Sequence, residues 1–306
     1  MVLIFGVAAM LAADMALTGI GETERVRARR EMRQAYYYAL GAETYARELL
    51  WQDRDSDRRA RQEVDSRSDV WEDGVGSFEL DEGRISIRLT DLQSRFNLAW
   101  LRAESGGLDA AAMANLRRLL LLIRLDPMLA PRIADWLEEQ GVIDAIGART
   151  PAPMATPSVP ISDAMPIGLA ELARVLVLTE EQRALLSAHL TCLPQNTKLN
   201  INTASPEALR AIGAGPGQAI TSLTRQRALA PFTDLGRALS DHGVADPEAM
   251  EDWMDTASDW YEIEVSAVYR QRLARLRSVL HRDAASGATR VIYRSPVVNM
   301  RNEQYE

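Results

Sequence analysis

Residues 1–50 read MVLIFGVAAMLAADMALTGIGETERVRARREMRQAYYYALGAETYARELL. From Met1 to Gly21 the only ionisable side chain is Asp14. A helix of about 20 apolar residues covers the ~30 Å hydrocarbon core of a bilayer, so residues 1–21 are expected to form a transmembrane segment. A charged carboxylate at that depth is expensive. Asp14 is therefore expected to be protonated or paired with a neighbouring helix, which makes it a candidate assembly contact, or else to sit near the membrane interface. A secretory signal peptide fits less well, because the stretch lacks the Lys/Arg-rich start of such peptides.

The helix is expected to continue past the apolar run. Neither glycine nor proline interrupts Glu22 to Tyr38, and the charged residues there are mostly helix formers. Ala28, Met32, Ala35, Ala39, Ala42, Ala46 and Leu49 recur at alternating spacings of four and three, a stripe of period 3.5 along one face. Small residues allow another element to approach closely. Ala28, Met32, Ala35 and Ala39 are thus candidates, with Asp14, for packing against other helices. Arg29, Arg30, Arg33, Glu43 and Arg47 are expected on the solvated side. A helix from Met1 to about Leu50 would be roughly 75 Å long. The arginines from Arg25 to Arg33 would place their flank in the cytoplasm by the positive-inside rule, unless a basic leader originally preceded Met1.

The composition narrows the functional classes. Thirty-five basic residues against 43 acidic ones give a net charge of −8, the wrong sign for a protein whose affinity rests on neutralising phosphates. With 47% hydrophobic and 25% charged residues the chain can bury a normal core. Its single cysteine, Cys192, excludes an intramolecular disulfide framework and a multi-cysteine metal site.

Beyond residue 50 the pattern changes twice. The charged run Gln52 to Asp69, including Arg58, Arg59 and Arg61, reads as a solvated loop. Phe78 and Leu80, then Asp81-Glu82-Gly83, then Ile85, Ile87 and Leu89 alternate as a β-hairpin. Helical spacing returns over Leu108–Leu125 and Pro131–Gln140. Residues 150–166 carry five prolines and read as a loop, followed by helical stretches at Leu169–Leu178 and Glu180–Leu190, the last capped by Thr179 with Gln182. Alternation resumes at Tyr261, Ile263 and Val265, near Leu276 and Val279, and at Val291 and Tyr293 after Ser286-Gly287. The order predicts an α+β fold: a long helix on an antiparallel sheet, with a large all-α domain inserted between strands.

Four stretches together resemble the general secretion pathway protein K family, the large minor pseudopilin of type II secretion systems. They are residues 38–43 (YALGAE), 91–98 (DLQSRFNL), 134–137 (ADWL) and 199–204 (LNINTA). The resemblance implies a pilin-like fold divided as 1–21 transmembrane, 22–95 first pilin-like part, 96–258 inserted helical domain with a helix-hairpin-helix-like subregion at 199–241, and 259–306 returning strands. It implies a bacterial inner-membrane protein with a single span and a periplasmic body, matured by prepilin peptidase, which removes a basic leader. Its implied partners are the minor pseudopilins I and J, then H and the major pseudopilin, at a pseudopilus tip where assembly starts. Relatives carry an Asp-rich calcium loop after the Asp-Trp motif. Here the chain runs Leu137-Glu138-Glu139-Gln140-Gly141, and Asp135, Glu138, Glu139 and Asp144 have helix-like spacing instead, so no cofactor is expected.

The competing reading is a membrane-anchored DNA receptor. Residues 200–204, Leu209, the run 212–220 (IGAGPGQAI) and Pro231-Phe232 also resemble a helix-hairpin-helix, in which a glycine turn offers backbone N–H groups to a phosphate. Between Leu199 and Asp241, however, Arg210, Arg225, Arg227 and Arg237 face Glu207, Asp234 and Asp241, a nearly neutral balance, and Gly217 stands where lysine is common. His189 and Cys192 form no visible catalytic or metal constellation, and Tyr36, Tyr37 and Tyr38 point in different directions on a helix. The expectation is a structural protein rather than an enzyme.

Overall fold

The computed structural model describes residues 2–69, 71, 75–103, 106–140, 172, 176–244 and 246–297, excluding the side chains of residues 2–21, 139–140 and 296–297. The first helix, α1, spans Val2–Ala60, roughly 90 Å and ten residues past the expected end. The hairpin follows as β1 (Gly76–Leu80) and β2 (Gly83–Asp91), and the chain returns through β7 (Trp260–Tyr269), β8 (Arg272–Arg282) and β9 (Thr289–Val297). These five strands make one antiparallel sheet in the order β1-β2-β7-β8-β9. Adjacent strands β2 and β7 are thus separated in sequence by the whole helical block.

The stripe of α1 lies on this sheet. Ala35, Ala39 and Ala46 are fully buried, Ala42 nearly so, and Leu49 and Leu50 close the lower end. Below them pack Ile87, Leu89, Tyr261, Ile263, Val265, Ala267, Leu276 and Leu280, the inward residues of the three central strands. Alanine at these positions lets the helix axis come close enough for the sheet's branched side chains to fill the gap.

Between β2 and β7 run β3 (Phe96–Asn97), α2 (Ala110–Leu122), α3 (Leu129–Gln140), α4 (Glu180–His189), β4 (Leu190–Thr191), β5 (Leu199–Asn200), α5 (Pro206–Ala211), α6 (Gly217–Arg227), α7 (Leu235–Asp241), α8 (Pro247–Glu251) and β6 (Met254–Asp255). The strand pieces form two short parallel pairs, β3-β4 and β5-β6, that stitch the helices together. The block has its own apolar core, built around Phe96, Leu116, Leu119, Ile133, Leu186, Leu209 and Leu223. The expected cap of α4 is present as a reciprocal capping box between Thr179 and Gln182. Of the expected helix 169–178 only Leu172 and residues 176–178 are described, and the proline-rich loop 150–166 lies outside the described residues.

Two sequence expectations fail here. The run Gln52–Asp69 is not a solvated loop: α1 continues through Ala60, and Asp53, Arg54 and Asp65 are buried. Glu43 and Arg47 are not on the solvated side either, because β9 folds along that flank of α1. Glu43 is 2% exposed, bonded to Ser278 and paired with Arg294 at 2.5 Å, and Arg47 donates to the Thr289 hydroxyl and carbonyl.

Candidate functional site: the faces of the first helix and its polar anchor

Rotating 100° per residue around α1 places each predicted contact. Ala35 and Ala39 face the chain's own sheet and are sealed, so the expectation that they meet a neighbouring helix is corrected: the period of the stripe identifies a packing face but not what fills it. Met32 and Ala28 lie one and two turns nearer the apolar run and are partly exposed, where the helix clears the sheet. Asp14 lies on α1, and its side chain is outside the described residues.

The opposite face is open. Val26, Arg30, Arg33, Tyr37, Gly41, Thr44, Glu48 and Trp51 also follow four-and-three spacing, a second stripe that the sequence reading did not single out. Tyr37 is 56% exposed, Val26 47% and Trp51 42%. At Gly41 a Cβ would meet nothing within 4 Å, so the backbone is bare to an approaching element. The three tyrosines diverge as expected: Tyr37 points out, while Tyr38 stands edge-on to Tyr269 at 5.6 Å.

The lower end of α1 is held by a buried polar cluster. Arg282, fully buried, donates to Asp53 at 3.1 Å, to both oxygens of Asp65 at 2.6 and 2.5 Å, and to the Leu50 and Ser258 carbonyls. The Tyr261 hydroxyl donates to Asp65 at 2.6 Å. Ser258 carries the network onward by donating to Asp91, which also accepts from Thr203, while Asn200 donates to the Asp65 carbonyl and the Ser258 hydroxyl. The cluster thus ties α1 and the sheet to the helical block at the points where the chain leaves β2 and re-enters β7. Carboxylates of Asp53, Asp65 and Asp69 converge within 4.8 Å, and the Arg282 guanidinium balances charge among them. Burial, together with the charges of Asp65 and Asp69, pushes the Asp53 carboxyl up to about 8 despite Arg282. Burial likewise lifts Asp91 to about 6 against its hydrogen bonds from Thr203 and Ser258.

The other candidates are placed as follows. Asp135 and Glu138 are exposed on α3, while the side chain of Glu139 and all of Asp144 lie outside the described residues. Burial pushes the Cys192 thiol up to about 12, and His189 instead faces Ser205 at 3.5 Å. The α5-loop-α6 hairpin exists, with Gly213 and Gly215 at φ 83° and 128°. Arg227 is turned inward, donating to the Ile201 and Ala204 carbonyls, Arg237 on α7 pairs with Asp241, and Arg225 is exposed.

A family model described as type II secretion system (T2SS), protein K matches residues 94–195, which run from the end of β2 into the helical block. Over 202 residues the chain is 31% identical to the type II secretion system protein K of Pseudomonas aeruginosa PAO1, covering 61% of this chain and 59% of that protein. The chain is therefore similar to type II secretion protein K, and it spans about three fifths of the length of that relative. A chain of the crystal structure of the GspK-GspI-GspJ complex from the enterotoxigenic Escherichia coli type 2 secretion system has the same fold. Its TM-score is 0.58 at 18% identity, over 89% of this chain and 99% of that one. The shared fold, a long helix on an antiparallel sheet, is pilin-like, and in this chain the helical block lies between β2 and β7. Among the described residues no helix is long and apolar enough to cross a membrane. The side chains of residues 2–21 lie outside that set.

Proposed function

We propose that this chain is a non-enzymatic minor pseudopilin that joins the minor pseudopilins I and J, and through them H and the major pseudopilin, at the tip of a pseudopilus, where it initiates assembly for protein export. Residues 1–21 anchor it in the inner membrane once prepilin peptidase has removed a leader, and residues 22–95 with 259–306 form the periplasmic pilin-like part around the insertion 96–258. The observation that carries the reading is the division of α1: one face is consumed by the sheet, while the face through Val26, Tyr37, Gly41 and Trp51 is left exposed among the described residues. Long helices with one free face assemble by laying those faces together, and a bare glycine backbone permits the closest approach. The insertion is too bulky to repeat along a filament, which favours an end position. Nearer the membrane, where the sheet no longer covers the other face, Ala28 and Met32 with Asp14 offer a second contact. Gly41→Trp tests this. The added Cβ meets nothing within 4 Å and the residue is exposed, so the fold should be kept while co-purification with I and J is lost; undiminished co-purification would count against the reading.

A further inference from the structure

Where α1 emerges from the apolar run it carries charges that the assembly reading does not use. Within residues 22–33 five arginines stand against Glu22, Glu24 and Glu31, in a chain whose net charge is −8. Glu31 is already well served: Arg27 lies 3.1 Å away, and Arg270 and Arg272, from the turn between β7 and β8, lie at 3.5 and 3.8 Å. Arg27 also reaches Glu24, and Arg270 is held by Glu82 at 2.6 Å. Arg25, Arg29, Arg30 and Arg33 are exposed, and none of the four takes part in an ion pair among the described residues.

Beside them an open groove of about 780 Å³ lies between α1 and the β7–β8 turn. Its walls carry the guanidiniums of Arg27, Arg30 and Arg270, the amide of Gln34, the Tyr269 ring and the half-exposed Val26, with Glu22 and Glu31 as the acids. Position gives this groove its meaning. Arg25 lies about 6 Å beyond Gly21 along the helix axis, and Arg30 about 14 Å. Headgroups extend roughly 5–8 Å past the hydrocarbon, and the Debye length adds about 8 Å.

We propose that this groove, with the free arginines around it, binds the phosphate of an anionic phospholipid in the leaflet facing the body. The inference rests on the reading of residues 1–21 as a membrane segment. Arg30 supplies the unpaired guanidinium in the groove wall, Arg25, outside the lining but nearer the hydrocarbon, adds positive charge beside it, and Glu31 orients the neighbouring arginines instead of competing for the headgroup. A zwitterionic lipid gains less here, because its own cation meets the same arginines.

The full chain in mild neutral detergent would be titrated with phosphatidylglycerol or phosphatidylcholine, and bound lipid counted by native mass spectrometry. The expected preference for phosphatidylglycerol is on the order of tenfold. It should fall to about twofold or less in Arg25→Gln/Arg30→Gln/Arg33→Gln. It should persist in Arg58→Gln/Arg59→Gln/Arg61→Gln, which removes the same charge from the far end of α1. Retention of the preference in the first variant, or equal loss in the second, would overturn the proposal. Complete displacement of phosphatidylglycerol by millimolar inorganic phosphate would do so too, by making the site one for free phosphate. Alkaline extraction of membranes tests anchoring separately: a chain that resists extraction but shows no lipid preference refutes the groove alone, while a chain released by alkali refutes the membrane reading itself.

Discussion

Arg282→Met isolates the anchor beneath α1. The guanidinium is fully buried and is the shared donor for Asp53 and Asp65, which approach it at 3.1 and 2.5 Å. Methionine fills most of the aliphatic stem but removes the cation between two buried carboxylates, Asp53 losing its Arg282 partner and Asp65 keeping the Tyr261 hydroxyl and the Ser258 N–H. Breaking a buried pair by removing one partner typically costs about 3–5 kcal/mol, a large share of a domain's ~5–15 kcal/mol of stability. The loss should depend on pH. Asp53 already titrates near 8 in the folded chain, well above an unfolded aspartate, so its stabilising contribution is complete below the unfolded value and is lost as pH rises through about 8. Without Arg282, which opposes that rise, the Asp53 carboxyl shifts further upward, so the variant's deficit should be smaller at pH 5 than at pH 8. Denaturant unfolding of the detergent-solubilised chain, followed by tryptophan fluorescence at both pH values, measures it. A deficit under about 1 kcal/mol, or one that does not change between pH 5 and 8, would refute the reasoning, since an orphaned buried charge cannot be cheap and pH-independent.

Other outcomes follow from single contacts. Ala35→Glu should loosen the helix-sheet layer and not merely block assembly, because that position is fully buried and a carboxylate there is taken out of water; limited proteolysis of the chain without partners would show it. At Gly83 a Cβ would lie 2.0 Å from the Val268 carbonyl oxygen, so Gly83→Ala should push β2 from β7 at a cost of about 1–3 kcal/mol, seen as faster amide exchange along Ile85–Leu89. Cys192 should react with a maleimide only in step with global unfolding, since it is 5% exposed and held protonated; prompt labelling of the native chain would contradict this.

The sequence made the sheet and its helix legible because their periods are unambiguous. Ile85, Ile87 and Leu89 alternate as only a half-buried strand does, and Ala35, Ala39, Ala42 and Ala46 mark one face of a helix. What those alanines pack against was not legible, since periodicity defines a face and says nothing of its occupant. Val26, Tyr37, Gly41 and Trp51 have the same spacing and were hidden by the arginines between them. The polar anchor was hidden for a different reason. Asp53 looks like any solvated acid in a charged run, and its counter-charge, Arg282, lies 229 positions later on a strand whose register brings it underneath. Glu43 and Arg47 were misplaced in the same way, their cover being supplied by β9 near the end of the chain.

We propose that one face of α1 belongs to the sheet and the other to neighbouring subunits. Tyr37 and Tyr38 are consecutive but lie on different faces, the first outward and the second against Tyr269. A benzophenone side chain at position 37 in the full chain, expressed with I and J and irradiated, should yield a covalent adduct with one of them. The same group at position 38 should react within its own chain. Adducts to a partner from 38 and none from 37 would contradict the claim.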